Sequence, residues 1–102
     1  MIHLVALLTA KPGQREALLA EFRQVMPKVH AEDGCIEYQP AIDAAGFDKV
    51  TTALGPDSFA VIEKWASAEA LRAHMKAPHM ADYAARTRDM IASRVLHILT
   101  GA

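Results

Sequence analysis

Apolar spacing along the chain alternates between a strand-like and a helix-like period in a fixed order. Ile2 to Ala10 is an almost unbroken apolar run, which is typical of a strand, and Lys11-Pro12-Gly13 ends it. From Gln14 to the stop signal Glu32-Asp33-Gly34, apolar residues recur every three to four positions. This pattern predicts an amphipathic helix, with Pro27 kinking or tightening its last turns. The chain therefore opens with a strand followed by a helix.

Two further strands are predicted after this helix. Cys35 to Ile42 has strand character, and Asp43 to Asp57 is a long connection in which Lys49 to Ala53 is a candidate short strand. Ser58 to Ala66 is the clearest strand of the chain. Its alternation places four residues on one face, which is expected to be the side of the helices, namely Phe59, Val61, Glu63 and Trp65.

A pair of helices and a last strand complete the pattern. Ser67 can cap a short helix, and Pro78 ends that helix because the residue before a proline avoids the helical conformation. The second helix is expected to carry an Asp82–Arg86 ion pair on its surface and an inward stripe made of Met80, Tyr83, Ala84, Thr87, Met90 and Ile91. The last strand is predicted at Arg94 to Thr100.

This order of elements predicts an α+β fold of the ferredoxin-like, split βαβ kind. Two crossover helical segments then pack on one face of an antiparallel sheet. The edges and the second face of the sheet remain apolar, so a second copy of the chain is the simplest cover and a homodimer is expected. The candidate residues for that uncovered surface are Ile2, Leu4, Leu8, Ile62, Leu96 and Ile98.

Composition excludes several classes of function. The 102 residues fit one domain spanning 1–102, and 52% apolar against 23% charged residues is typical of a globular chain. A net charge of -1 without a basic stripe argues against nucleic acid as a partner. The apolar runs are too short to span a membrane, and no signal peptide is recognised, so a cytoplasmic protein is expected. Cys35 is the only cysteine, so no internal disulfide can form.

The chain resembles the antibiotic biosynthesis monooxygenase family, and most closely its small bacterial quinol monooxygenases. The resemblance covers nearly the whole chain and is carried by Lys11-Pro12-Gly13-Gln14, Glu32-Asp33-Gly34-Cys35, Ile62-Glu63-Lys64-Trp65, Ala70-Leu71-Arg72-Ala73-His74 and Ala77-Pro78-His79-Met80. It implies a dimeric α+β barrel. For the quinol members it also implies oxygenation of a small aromatic substrate by O2 with no flavin, heme or metal.

Two departures narrow what the resemblance implies. Heme-degrading relatives combine a Trp and a His with an Asn from the first strand, and aromatic polyketide oxygenases place an Asn shortly before the Trp. This chain contains no asparagine at all. Heme degradation is therefore not expected despite the matching Trp65 and His74, and the polyketide activity lacks a residue it is thought to need.

Two residues are the candidate catalytic pair. The resemblance implies that Trp65 shapes a substrate pocket, whereas composition alone favours a large core residue. His74 shares an inward helix face with Leu71 and Met75, and imidazole can accept a phenolic proton near neutral pH. A lone histidine on an apolar face is more often structural, so both interpretations of His74 stay open.

Five further residues form the predicted substrate-binding set. An inward carboxylate such as Glu63 must be hydrogen-bonded, paired or protonated, and the tyrosine hydroxyls could donate to a substrate oxygen. The set is Phe22, Tyr38, Glu63, His79 and Tyr83. No metal or cofactor is expected, since dinucleotide and phosphate-loop motifs are missing. His74 and His79, five residues apart with a proline between them, suit one metal poorly.

Three functions remain open from the sequence. The first is a monooxygenase that oxidises a quinol or another electron-rich phenol. The second is an isomerase or lyase that uses a buried acid–base pair on a small carbonyl compound, and the third is a non-catalytic dimeric ligand-binding module. The fold alone cannot choose among them.

Overall fold

The computed structural model describes all 102 residues. The elements follow the predicted order and are β1 Ile2–Ala10, α1 Arg15–His30, β2 Cys35–Ala41, β3 Ser58–Trp65, α2 Ala68–Met75, α3 Pro78–Thr87, a 3₁₀ turn at Arg88–Met90 and β4 Ile91–Thr100. None of the helices has both the length and the apolar character that crossing a membrane requires.

The four strands form one antiparallel sheet in the order β2-β3-β1-β4. The register places Leu4 of β1 beside Glu63 of β3 and Ile98 of β4. Four residues further along β1, Leu8 lies beside Arg94 of β4. Three helices accompany this sheet, so the predicted ferredoxin-like α+β fold is confirmed.

The core lies between the helices and one face of the sheet. Every second residue of β1 and β3 points into it, because side chains alternate across a strand. The largest fully buried side chains are Trp65, Phe22 and Phe59. Leu4 and Leu8 were predicted on the uncovered surface, which is wrong, since both are buried under the helices.

The helices leave β4 largely uncovered. Leu96 and Ile98 share the sheet face of Leu4, as their pairing with β1 requires, yet they are 42% and 52% exposed. The opposite face of the sheet carries no helix, and its apolar residues are half-buried or exposed. They are Val5, Leu7, Ala41, Ala60, Ile62, Val95 and Leu99.

The connection between β2 and β3 holds no strand, so the candidate strand at Lys49 to Ala53 is wrong. The backbone turns there instead, because the N–H groups of Val50 and Thr51 both donate to the carbonyl of Phe47. The Asp43 carboxylate then accepts the N–H groups of Leu54 and Gly55 at 2.8 and 2.9 Å. These bonds close the segment on itself rather than on the sheet.

The end of α3 also differs from the prediction. Met90 lies in the 3₁₀ turn and Ile91 begins β4, so neither belongs to the helical stripe. The predicted Asp82–Arg86 pair is replaced by a contact between helices, because Arg86 Nε donates to Glu21 on α1 at 3.0 Å. Packing of α3 against α1 thus sets the partner of Arg86.

Candidate active site

Helix α2 presents His74 to the interior. Ser67 caps the helix as predicted, with its hydroxyl accepting the N–H of Ala70 at 3.1 Å. From this start, residues three apart share a face, so Leu71 and His74 are both buried. Met75 is 49% exposed and lies at the rim, which differs from its predicted inward position.

A glycine lets the loop between α1 and β2 pack tightly against α2. Gly34 has a positive φ of 81°, and a Cβ built on it would lie 2.6 Å from the Cβ of Ala70. The Gly34 carbonyl also accepts the N–H of Ala66 at 2.8 Å. Only glycine combines this conformation with so close an approach. The loop therefore brings Glu32, two residues earlier, to the last turn of α2.

Glu32 is the centre of a small polar cluster. Its Oε2 accepts hydrogen bonds from Nδ1 of His74 at 2.9 Å and from Nε2 of His79 at 2.8 Å. The three side chains offer one ligand atom each within 4.8 Å of one another, a set that could coordinate a divalent cation. From their spacing in the sequence, the two histidines were not expected to share one metal. The turn at Pro78 nevertheless directs both rings to one carboxylate oxygen.

Trp65 and Glu63 lie on the other side of His74. The Trp65 indole N–H donates to Glu63 Oε1 at 2.9 Å, and its ring centroid is 4.6 Å from that of His74. Burial raises the pKa of Glu63, while the hydrogen bond from Trp65 and the nearby His74 lower it in part. Trp65 and His74 therefore pack directly against each other.

An open cavity of about 860 Å³ lies between the sheet and helices α2 and α3. Four of the five predicted substrate-binding residues line it, namely Phe22, Tyr38, Glu63 and Tyr83, together with His74. Trp65 lies behind this surface and contacts His74 rather than the cavity, and His79 reaches the site only through Glu32.

Aromatic contacts organise the inner wall of the cavity. Phe22 stacks on Tyr38 with ring centroids 5.0 Å apart, and Tyr38 meets His74 edge-on at 5.4 Å. Burial raises the pKa of Tyr38 well above its usual range and that of Tyr83 to about 12. Both phenols are therefore hydrogen-bond donors at neutral pH.

Glu32 was missed by the sequence analysis as a site residue. It lies 42 residues from His74 in the chain, and no periodic pattern relates the two positions. The sequence offered one signal, Gly34, which lies two residues after Glu32, since a glycine at a helix end can mark a close approach of two backbone segments. Which element it would approach depends on the fold.

The sequence profile of the family described as "Antibiotic biosynthesis monooxygenase" matches residues 1–86. The chain belongs to this family. The candidate site lies within the matched part of the chain, except for the cavity residues from Thr87 onward at the end of α3, in the 3₁₀ turn and on β4.

Individual proteins and solved structures match over nearly the full length of the chain. The chain is 35% identical over 101 residues, 97% of this chain and 96% of that protein, to "Probable quinol monooxygenase YgiN" of Escherichia coli. The crystal structure of PA3566 from Pseudomonas aeruginosa matches with a TM-score of 0.80 at 26% identity, covering 99% of this chain and 93% of that one. Rv0793 from Mycobacterium tuberculosis also has a TM-score of 0.80, at 24% identity, with coverage of 99% and 94%.

Proposed function

We propose that this family member is a cofactor-independent monooxygenase that oxidises a quinol or another electron-rich phenol with O2, and that it acts as a homodimer in the cytoplasm. The family and the relative named as a quinol monooxygenase support the reaction class. The cavity, with its apolar walls and a few polar groups, suits a small aromatic substrate.

The observation that carries this proposal is the state of His74. Its Nδ1 is bonded to the Glu32 carboxylate, which accepts only, so the ring proton resides on Nδ1. Its Nε2 makes no hydrogen bond to the protein, and the residue lines the cavity. An imidazole held in this tautomer is a general base aimed at a ligand, and Glu32 is its positioning residue.

The proposed reaction begins with proton transfer from the substrate hydroxyl to Nε2 of His74. Ground-state O2 is a triplet, so the phenolate first transfers one electron to it, and the two radicals combine into a ring hydroperoxide at a carbon next to the hydroxyl. The O–O bond then breaks with loss of water, and the ring ends as a hydroxylated quinone. One O2 enters, one water leaves, and the substrate supplies the electrons.

The protein contributes placement and a dry environment. Apolar side chains make up 14 of the 20 cavity residues, which limits water around the phenolate. Trp65 packs against the His74 ring and donates its indole N–H to Glu63, so the base is held between Trp65 and the Glu32 carboxylate. Tyr38 can donate to a substrate oxygen at the same end of the cavity.

The proposed homodimer rests on the sheet surface that the helices leave open. Its second face carries seven apolar residues that are half-buried or exposed. A continuous apolar surface of this kind favours association, because burying it removes apolar area from water. A specific dimer should bury at least roughly 1,000 Å² in total.

Oxygen uptake with a panel of reduced quinones tests the proposed function. Consumption of one O2 per substrate, with a hydroxylated quinone as product, is the expected result. Product without O2 uptake would indicate an isomerase or lyase, and no reaction with any substrate would favour a binding module. An absorbance spectrum and metal analysis of the purified protein accompany the assay, since a stoichiometric chromophore or metal would contradict the cofactor-free mechanism.

A further inference from the structure

Tyr83 carries the one buried side-chain polar atom without a hydrogen-bond partner in the structure. Its hydroxyl oxygen is inaccessible and bonds to no protein group, and the residue as a whole is 8% exposed. Buried hydroxyls almost always have a partner, because leaving one unpaired costs stability. Tyr83 lines the cavity, so a molecule bound there can become its partner once the side chains that cover the hydroxyl move aside.

The Tyr83 end of the cavity is distant from the His74 end. Glu63, near His74, lies beside Leu4 of β1, whereas Arg94 lies beside Leu8. These positions differ by four residues along β1, about 13 Å, and by two strand spacings across the sheet, about 10 Å. Burial raises the pKa of Tyr83, the Glu21 carboxylate raises it further, and Arg94 and Arg86 lower it in part. Tyr83 and Arg94 both line the cavity, and they form a second polar region of its wall.

Charge also differs between the two ends. The cavity lining includes Lys76, two residues after His74, and also Arg88 and Arg94, and none of the three forms an ion pair within the chain. Its only acidic residue, Glu63, lies at the His74 end and is bonded to Trp65. The Tyr83 hydroxyl remains protonated at neutral pH, so it can donate a hydrogen bond to an acceptor. A negatively charged oxygen acceptor satisfies both the hydroxyl and the cations.

We propose that the Tyr83 end of the cavity binds an anionic oxygen substituent, a carboxylate, of the aromatic substrate. Tyr83 donates to the carboxylate, and Arg94 with Arg88 at the rim neutralises it. The substrate class is then an aromatic carboxylate whose electron-rich ring lies toward His74. The part concerning the ring rests on the proposed function, whereas the anion subsite can be tested by binding alone.

Calorimetric titration with two unreactive probes tests the subsite, using naphthalene carboxylate and its uncharged carboxamide. The carboxylate should bind roughly tenfold more tightly to the unmodified protein, as expected for a charge-assisted hydrogen bond with nearby cations. Tyr83→Phe should remove most of this preference and leave carboxamide affinity within about twofold. The variant deletes only an unpaired hydroxyl, so it should fold and melt at the same or a higher temperature.

Arg94→Gln should reduce the preference for the carboxylate probe over the carboxamide. It should also reduce the dependence of that preference on salt, because exposed charges are screened. The matched control is Arg23→Gln, an exposed arginine on α1 outside the cavity lining, which should keep both. Equal affinity for the two probes, or a preference that survives Tyr83→Phe, would overturn the subsite. A preserved preference without O2 uptake by any quinol would refute the proposed oxygenation alone.

Discussion

Glu32 accepts a hydrogen bond from Nδ1 of His74 at 2.9 Å, joining a loop after the first helix to the last turn of the second. This contact orders the imidazole of a residue that lines the cavity and leaves its other nitrogen without a hydrogen bond to the protein. It turns a histidine on an apolar helix face into a candidate base with a defined tautomer. Glu32 also holds His79, so one carboxylate organises both rings.

Replacing His74 by Gln should lower turnover of a quinol by roughly 10²-fold or more, because the proton acceptor is lost while size and polarity are kept. Steady-state O2 uptake per folded molecule measures this. A substrate already ionised at high pH should recover most of the rate there. A packed core histidine would instead lose on the order of 1 kcal/mol of stability at nearly unchanged turnover, which would remove His74 from the mechanism.

Glu32→Gln should lower turnover by roughly tenfold, because a neutral amide no longer selects one His74 tautomer. The pH–rate profile of this variant should differ in shape from that of the unmodified enzyme. With a substrate that is already ionised at high pH, the variant should regain activity there. Glu69→Gln is the matched control. Glu69 is exposed on α2, the helix that carries His74, and it pairs only with Arg72 at 3.9 Å. Equal activity of both variants at every pH would show that Glu32 does not position the base.

The pH dependence of stability should report on Glu63. Burial raises its pKa in the folded state, so its ionisation opposes folding: stability is full below the unfolded pKa and falls as pH rises through the folded pKa. The Glu63→Gln variant should therefore gain stability relative to the unmodified protein as the pH rises above the pKa of an ordinary carboxyl group. Urea unfolding from acidic to neutral pH measures the difference.

Glu37→Gln provides a control of opposite sign. Hydrogen bonds from Lys64 and Gln39 lower the pKa of Glu37, so its contribution is present above the unfolded pKa and is lost as pH falls. This variant should lose stability relative to the unmodified protein at neutral pH and approach it in acid. The same pH trend in both variants would contradict the assignment for Glu63.

Gly34→Ala should destabilise the protein more than Gly13→Ala. Both glycines have positive φ, 81° and 77°, so each alanine incurs backbone strain of roughly 1–2 kcal/mol. Only at Gly34 does the new Cβ meet another atom, the Cβ of Ala70 at 2.6 Å, which adds about 1–3 kcal/mol of overpacking. Chemical denaturation compares them, and equal losses would refute the tight packing of the Glu32 loop on α2.

Light scattering at micromolar concentration should show a homodimer. Leu99→Glu should give a monomer, because it places a charge on the second face of the sheet among apolar neighbours. Ala20→Glu, on the exposed side of α1, should remain dimeric. A monomeric unmodified protein would exclude the proposed assembly, and a dimeric Leu99→Glu variant would move the interface to another surface.

The order of strands and helices, the α+β class and the inward placement of Trp65 and His74 followed from the sequence, because each depends on local periodicity and on residues such as Ser67 and Pro78. The pairing of Arg86 with Glu21, the burial of Leu4 and Leu8 and the role of Glu32 did not. These depend on which elements meet, and strand alternation does not reveal which sheet face the helices cover. Tertiary packing decides such contacts, since residues far apart in sequence are joined only by the folded chain.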